Sequence, residues 1–372
     1  MFFRTFGGSL CVTVVALAVA LVYRGGTGLA VAAILGVLEI SLSFDNAVVN
    51  ATVLRTMSAF WQKIFLTVGV LIAVIGMRLL FPVLVVSVTA KLTPAQVIHL
   101  ALSKGSVDTP GSYGFLLREA HPAIAAFGGA FLLLLFLGFI LDEREITWLT
   151  WLERPLARIG KLDQLAVVVT LAAIAGSAYA FAPGAKIATV LLAGSMGTIA
   201  YILVDGLGGL FEEADGESTD ADESSVASAV NVALKVGKAA FVSFLYLEVL
   251  DASFSFDGVI GAFAITSDPI IIALGLGIGA MFIRSLTVYL VRKGTLDDYV
   301  YLEHGALWAI GALAVLLLIT IRYDVPEVVT GLIGVGFIGA ALVSSLVRNR
   351  RMPPGADTES SAPTGLLRPA AI

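Results

Sequence analysis

The fold of this chain is decided by a stretch that occurs twice, as LEISLSFDNAV at residues 38–48 and as LDASFSFDGVI at residues 250–260. Aligned without a gap, the two copies share the pattern acidic-x-Ser-x-Ser-Phe-Asp. Each copy is followed by an apolar run that carries a single arginine, Arg78 in the first half and Arg284 in the second. Agreement of this kind in one register indicates an internal repeat, with one copy in each half of the chain.

The composition indicates a membrane protein. Of the 372 residues, 58% are hydrophobic and only 14% are charged, whereas soluble domains carry about 25% charged residues. Apolar runs of about 20 residues, the length of a transmembrane helix, recur along the whole chain. An ordinary soluble enzyme is therefore not expected.

The charge balance and the cysteine content exclude further classes of protein. Asp and Glu number 28 against 23 Lys and Arg, and the sequence has no basic tract, so no nucleic-acid partner is expected. Cys11 is the only cysteine. This excludes an intrachain disulfide and a cysteine-based zinc site.

Ten apolar segments are candidate transmembrane spans. They cover residues 6–23, 27–54, 64–90, 122–141, 164–182, 186–210, 239–265, 269–291, 301–321 and 326–347. The repeated stretch lies in the second and the seventh span, so its two copies cross the bilayer in opposite directions. The sequence thus predicts an all-α polytopic membrane protein of about ten transmembrane helices with an inverted-topology repeat, as in many secondary transporters.

These spans divide the chain into six parts. The parts are the first helical repeat with the N-terminal span (1–90), connecting loops with the fourth span (91–163), the fifth and sixth spans (164–211), an acidic linker (212–230), the second helical repeat with the C-terminal spans (231–348) and a tail expected to be disordered (349–372). Lys and Arg concentrate in the loops on one side of this topology, which predicts a multi-pass protein of the inner (cell) membrane with both termini cytoplasmic. The first span resembles a signal peptide but lacks a good cleavage site, so a retained helix is expected.

The repeat places carboxylates where they are costly. A charged group at the bilayer centre costs at least about 2.5–3.5 kcal/mol. Arg78 and Arg284 offset part of this cost, but the acids outnumber them. The acids are Glu39, Asp45, Glu248, Asp251 and Asp257. Surplus carboxylates at this depth repel each other, bind protons or bind a cation; the alternative is that they only form buried salt bridges with the two arginines.

Helical spacing groups these polar residues onto common faces. One face of the first copy carries Glu39, Ser43, Asn46 and Asn50, and one face of the second carries Glu248, Asp251, Ser255 and Gly258. Glu39 and Asp45 diverge by about 120° on a straight helix, so both reach one ion only if the helix is unwound between them. Gly36, just before the first copy, and Gly258 and Gly261 in the second half would permit such a break.

The resulting candidate is a metal site made of oxygen ligands. Its expected ligands are Glu39, Asp45, Asn46, Asp251 and Asp257. The residues expected to support them are Ser43, Asn50, Arg78, Glu248, Ser255 and Arg284. Oxygen ligands favour Mn²⁺, Ca²⁺ or Mg²⁺ over Cu⁺ or structural Zn²⁺. No catalytic residue and no resident cofactor are expected.

The repeated stretch resembles the signatures of TerC-type integral membrane proteins, which belong to the wider superfamily of LysE-type exporters. Residues 38–47 are similar to the first signature, and residues 251–269, with their Ser-Phe-Asp and Thr-Ser-Asp-Pro segments, to the second. Residues 279–284 and 301–305 also match the second half. The resemblance covers most of residues 30–80 and 245–345 and is greatest to the larger, less characterised branch of that family.

This resemblance implies a role in tellurium resistance or manganese export. It implies ligand roles for Glu39, Asp45, Asn46, Asp251 and Asp257. Gly258 stands where the first copy has Asn46, so the two halves are not equivalent. The expected function is a secondary transporter that exports a divalent cation, Mn²⁺ being favoured over Ca²⁺ and Mg²⁺, with proton antiport as one means of coupling.

The expected partners are the lipid bilayer and the divalent cation, with a homo-oligomer or a stress-complex partner as further options. No P-loop is present, so ion gradients would drive transport unless an ATPase partner exists. Three other functions stay open at this point. The first is a non-transporting membrane subunit of a metal or tellurite stress-resistance complex, the second an intramembrane aspartyl protease, and the third an amino-acid exporter.

Overall fold

The computed structural model describes most of the chain. It covers residues 2–69, 71–103, 105–144, 146–162, 164–217, 237–293 and 299–351. Within these ranges, the side chains at positions 2–4, 42, 45, 207–217, 253–257, 260, 264, 292–293, 327–328 and 351 are not described. The predicted tail beyond Arg351 and the acidic linker beyond Glu217 lie outside the described residues.

The described residues form helices and no strands, as predicted. The helices are α1 (Phe2–Leu42), α2 (Phe44–Leu54), α3 (Ala59–Ile64), α4 (Phe81–Ala90), α5 (Pro94–Leu102), α6 (Tyr113–Ile140), α7 (Thr150–Ile159), α8 (Leu165–Phe181), α9 (Ile187–Glu217), α10 (Gly237–Ile265), α11 (Pro269–Lys293), α12 (Leu302–Thr320) and α13 (Glu327–Arg351). Two π-helical segments, Phe65–Gly69 and Ile72–Leu80, lie between α3 and α4. A 3₁₀ turn at Gly184–Lys186 precedes α9.

The long helix α1 consists of two antiparallel arms joined by a tight turn. Arg24 and Gly25 leave helical geometry, and Gly25 has φ 67°, a conformation that glycine adopts without steric cost. The arms lie so close that a Cβ on Gly28 would be 2.8 Å from the Ala20 carbonyl oxygen. The arms correspond to the first two predicted spans, the second of which continues into α2.

Helix α11 packs against both arms of α1 and shows their directions. Along the second arm, Gly28 lies near Ile271, Ala32 near Gly275 and Gly36 near Ile278. The second arm and α11 therefore run in the same direction. Ser9, in the first arm, donates a 3.0 Å hydrogen bond to the Met281 carbonyl, as expected for an arm that runs the opposite way.

The two copies of the repeated stretch run in opposite directions. Helices α10 and α11 form an antiparallel hairpin, because Glu248 and Arg284, on either side of the connecting turn, lie 3.2 Å apart. Since the second arm of α1 is parallel to α11, it is antiparallel to α10. The first copy therefore opposes the second, as the span count predicts.

Seven helices of the described chain are long and apolar enough to cross a membrane. One of them, α1, supplies two of the ten predicted spans through its two arms. Of the other predicted spans, the fifth is the shorter apolar helix α8, with 17 residues, and the seventh is α10, which carries the acids of the second copy. All ten predicted spans are thus helical, and the architecture is that of a polytopic membrane protein.

Ion pairs gather at the two opposite ends of this bundle. At one end Arg55 and Arg144 lie 3.1 and 4.0 Å from Glu303, at the start of α12. At the other end Arg118, near the start of α6, lies 3.6 Å from Asp324, beyond the end of α12. The antiparallel helices α6 and α12 thus each reach both ends. Arg55 and Arg144 belong to the loops that the basic-residue count assigns to the cytoplasm.

The largest apolar cluster holds α2, α6 and α12 together. Val48, Phe131 and Ile310 are buried in it, each at most 1% exposed. Gly311 lets α12 approach α6, because a Cβ there would lie 2.7 Å from the Phe136 ring. This packing fixes α2, and with it the residues that follow the first repeated stretch, against the bundle.

Candidate cation site

Two groups of charged side chains are buried within the bundle. The first, cluster 1, consists of Glu39 in α1 and Arg78 in the second π-helical segment, whose side chains are 5% and 3% exposed. Nη2 of Arg78 lies 2.5 Å from Oε1 of Glu39. Ser43 donates a 3.3 Å hydrogen bond to the same oxygen, and Nη1 of Arg78 donates to the Ala73 carbonyl at 2.8 Å. Cluster 1 thus pairs one carboxylate with one guanidinium in a charge-assisted hydrogen bond.

The second group, cluster 2, consists of Glu248 and Asp251 in α10 and Arg284 in α11. Nη2 of Arg284 lies 3.2 and 3.3 Å from the two carboxylate oxygens of Glu248 and 3.6 Å from Oδ2 of Asp251. Nη1 donates a 3.3 Å hydrogen bond to the Phe65 carbonyl, and the guanidinium stacks 4.2 Å from the Phe65 ring centroid. Oδ2 of Asp251 is buried and accepts no hydrogen bond from any described residue.

The two clusters do not balance in charge. Among the side chains that the structure describes, they hold three carboxylates and two guanidinium groups. Arg78 has one carboxylate partner, whereas Arg284 is shared between Glu248 and Asp251. Counting only these described side chains, salt bridging balances the charge of cluster 1 and leaves cluster 2 with one surplus negative charge when all three acids are ionised.

Each cluster packs against glycines of the opposite half of the chain. The Glu39 carboxylate lies against Gly258, where a Cβ would be 2.9 Å from Oε2, and a Cβ on Gly279 would overlap the Glu39 side chain. A Cβ on Gly69 would overlap Nη1 of Arg284 and lie 2.8 Å from Oε1 of Glu248. The buried charges thus lie at the contact between the two inverted halves.

Beside Glu39 of α1, the π-helical segments supply the first half's part of this contact. Phe65 and Gly69 begin and end the first segment, and both touch Arg284. Arg78 lies in the second segment. π-Helical geometry is rare and is found frequently at functional sites.

The first repeated stretch is broken between Glu39 and Asp45, as the predicted site requires. Helix α1 ends at Leu42 and α2 begins at Phe44, and the backbone of Ser43 between them has φ −99° and ψ 19°. The break is therefore at the serine. Gly36, the residue expected to permit it, lies within continuous helix.

The corresponding prediction for the second copy is wrong. Helix α10 is continuous through Gly258 and Gly261. Gly258 instead provides space for the carboxylate of Glu39. A side chain at position 258 would displace that carboxylate. A glycine opposite a buried acid relieves crowding, and the helix hydrogen bonds are kept.

Of the predicted ligands, Glu39 lies in cluster 1 and Asp251 in cluster 2, each beside the arginine of its own half. Asn46 and Asn50 of α2 are buried, at 4% and 2% exposed. Oδ1 of Asn50 accepts no hydrogen bond from a described residue. Within the described residues, no three His, Cys, Asp or Glu side chains are grouped so that they could hold a metal ion.

Three predicted site residues cannot be assigned to either cluster. The backbones of Asp45, Ser255 and Asp257 lie in α2 and α10, but their side chains are outside the described residues. Their roles as ligands or supporting residues stay predictions. The glycines at positions 69 and 279 were not identified from the sequence, where the only signal is a small residue in an apolar helix.

A comparison with known families gives one match. The family model described as a protein of unknown function (DUF475) matches residues 44–352, a description that does not carry the TerC name. No curated protein and no solved structure matches this chain. Since the matched segment is well over half of the chain and includes cluster 2 and Arg78, the chain belongs to the DUF475 family.

Proposed function

We propose that this protein is a secondary transporter that exports a divalent metal cation. The observation that carries the proposal is the surplus carboxylate of cluster 2, at the contact between two inverted halves of an apolar bundle. An ionised carboxylate in such surroundings is costly unless a cation or a proton neutralises it. Inverted halves that meet at a buried polar site are the architecture of alternating access.

Cluster 2 supplies the chemistry for reversible cation binding. Oδ2 of Asp251 has no hydrogen-bond donor among the described residues and lies 3.6 Å from Arg284. In the proposed cycle, the cation binds Asp251 and competes with the guanidinium of Arg284 for the acids of α10. Protonation of the same carboxylates after release would couple export to proton antiport. Asn50 offers a further oxygen, and Asp45 and Asp257 stay proposed ligands.

Mn²⁺ is the favoured cargo, with Ca²⁺ and Mg²⁺ as alternatives. All the proposed ligands are oxygen donors, which suit these hard cations. The resemblance of residues 38–47 and 251–269 to TerC-type signatures supports manganese in particular. The proposed location is the inner membrane with both termini cytoplasmic, which agrees with the position of Arg55 and Arg144 at one end of the bundle.

The test is a flux assay with the purified full-length protein in liposomes. Mn²⁺, Ca²⁺ and Mg²⁺ are offered separately at two internal pH values. Wild type is expected to move Mn²⁺ fastest, and a dependence on internal pH would support antiport. Asp251→Asn is expected to abolish most of the flux, whereas Asp324→Asn, the same change at a 95% exposed side chain, should leave it unchanged.

Two results would contradict the proposal. One is a folded wild type that moves none of the three cations, which would favour the non-transporting subunit of a stress-resistance complex. The other is equal flux in wild type and Asp251→Asn. Asp45→Asn and Asp257→Asn, measured in the same assay and by Mn²⁺ content in cells lacking the native protein, extend the test to the two aspartates whose side chains are not described.

A further inference from the structure

A polar pocket that shares no residue with either cluster lies at the end of the bundle that carries Glu303. It has a volume of about 380 Å³ and lies between the end of α6, the loop after it, α7 and the start of α12. Arg144, Arg154 and Arg158 are among its lining residues. Three guanidinium groups around one open pocket indicate a site for an anion.

Two of the acids in the pocket wall already have partners. Glu153 is buried and accepts hydrogen bonds from the backbone amides of Trp148 and Leu149 at 3.0 and 3.1 Å and from the Trp308 indole at 3.2 Å. These donors fix α7 to α12, so Glu153 has a structural role. Glu143 pairs with Lys161 at 2.9 Å.

The arginines of α7 are the groups left to bind a ligand. Arg154 and Arg158 are one helical turn apart and so lie on the same face of α7. Neither forms an ion pair or a hydrogen bond with a described residue, and both are exposed. Arg144 joins them from the preceding loop, where its guanidinium stands 3.9 Å from the Phe139 ring centroid and 4.0 Å from Glu303.

The position of α7 indicates where the anion comes from. The helix is amphipathic, and Trp151 on it is 75% exposed. Exposed tryptophan beside arginine is typical of a helix at the level of the lipid headgroups. The pocket therefore opens where phosphate groups of lipids are abundant and where soluble phosphates also have access.

We propose that this pocket binds a phosphoryl group, carried either by an anionic lipid headgroup or by a free phosphate. Guanidinium groups bind phosphoryl oxygens through paired hydrogen bonds. Arg154 and Arg158 supply these donors from one helix face, and Arg144 closes the pocket from the loop. The remaining wall acid, Asp142, forms no ion pair within the described residues and opposes the ligand.

The test is native mass spectrometry of the purified full-length protein. The probes are a phosphatidylglycerol, a phosphatidylcholine and inorganic phosphate, each titrated separately. Wild type should retain the phosphatidylglycerol or the inorganic phosphate at concentrations where phosphatidylcholine does not bind. Phosphatidylglycerol binding identifies the lipid as the source, and phosphate binding alone identifies a soluble ligand.

Matched variants separate the pocket from general surface charge. Arg158→Gln should weaken retention at least tenfold, whereas Arg350→Gln, which removes the same charge from the exposed end of α13, should not. Asp142→Asn should strengthen retention, because it removes the opposing charge. The proposal would be overturned if Arg158→Gln and Arg350→Gln had equal effects. It would also be overturned if wild type retained neither phosphatidylglycerol nor inorganic phosphate better than phosphatidylcholine, or if Asp142→Asn weakened retention.

Discussion

Clusters 1 and 2 are built from the same kinds of residue but differ in charge. In cluster 1, Arg78 faces one carboxylate at 2.5 Å. In cluster 2, Arg284 donates hydrogen bonds to both carboxylate oxygens of Glu248 and lies 3.6 Å from Asp251, whose Oδ2 has no donor among the described residues. The described side chains of the two clusters therefore differ in net charge. Cluster 1 pairs its one described carboxylate with Arg78, whereas cluster 2 holds the surplus carboxylate on which the proposed cation site depends.

The largest expected effect comes from removing the arginines. Losing one partner of a buried ion pair costs about 3–5 kcal/mol, because the other charge is left uncompensated. Arg284→Met leaves two carboxylates without their cation, whereas Arg78→Met leaves one. The loss of unfolding free energy, measured by denaturant titration in detergent, should therefore be larger for Arg284→Met. Equal losses would show that Asp251 adds nothing to the interaction that Arg284 makes in cluster 2.

The next largest loss of stability is expected from a substitution that disturbs the packing of cluster 1 against α11, in the second half of the chain. Gly279→Ala would push a methyl group into the Glu39 side chain, and overpacking of this kind costs about 1–3 kcal/mol. Gly277→Ala is the matched control, because its Cβ would meet only Val74, at 3.3 Å. Thermal unfolding should separate the two variants. If both are equally stable, Glu39 does not lie against α11 as the structure shows.

A smaller difference in unfolding free energy is expected between variants of the two acids of cluster 2. Glu248→Gln weakens the hydrogen bonds that Arg284 donates at 3.2 and 3.3 Å, and such charged hydrogen bonds are worth about 1.5–3 kcal/mol. Asp251→Asn should cost less than about 1 kcal/mol, because Asp251 makes no hydrogen bond to Arg284. Denaturant unfolding gives the two values. The reverse order would assign the surplus charge to Glu248.

The smallest expected loss of unfolding free energy tests whether burial distinguishes the two clusters from exposed ion pairs. Lys161 and Glu143 are paired at 2.9 Å, but their side chains are 66% and 67% exposed. Lys161→Gln should change the unfolding free energy by about 0–1 kcal/mol, since water screens exposed pairs. A loss as large as that of Arg78→Met would contradict the view that charge matters here mainly where lipid or protein excludes water.

Much of the site followed from the sequence, because a carboxylate in an apolar helix is conspicuous. The spacing identified Glu39, Asp251 and the two arginines, and the span count gave the opposite directions of the two copies. The spacing could not reveal that Ser43, rather than Gly36, marks the helix break. That choice depends on how α1 packs against α11, where Gly36 is held close to Ile278.

The amino-acid sequence by itself determined the all-helical membrane fold, the inverted repeat and the excess of acids over arginines, because hydropathy and residue order are local properties of the chain. Only the tertiary structure decided which acid faces which arginine. Arg284 contacts Glu248 as well as Asp251. Gly69 packs against the Arg284 and Glu248 side chains, and Gly279 packs against the Glu39 side chain. These relations depend on contacts between residues far apart in the chain, which no local pattern records.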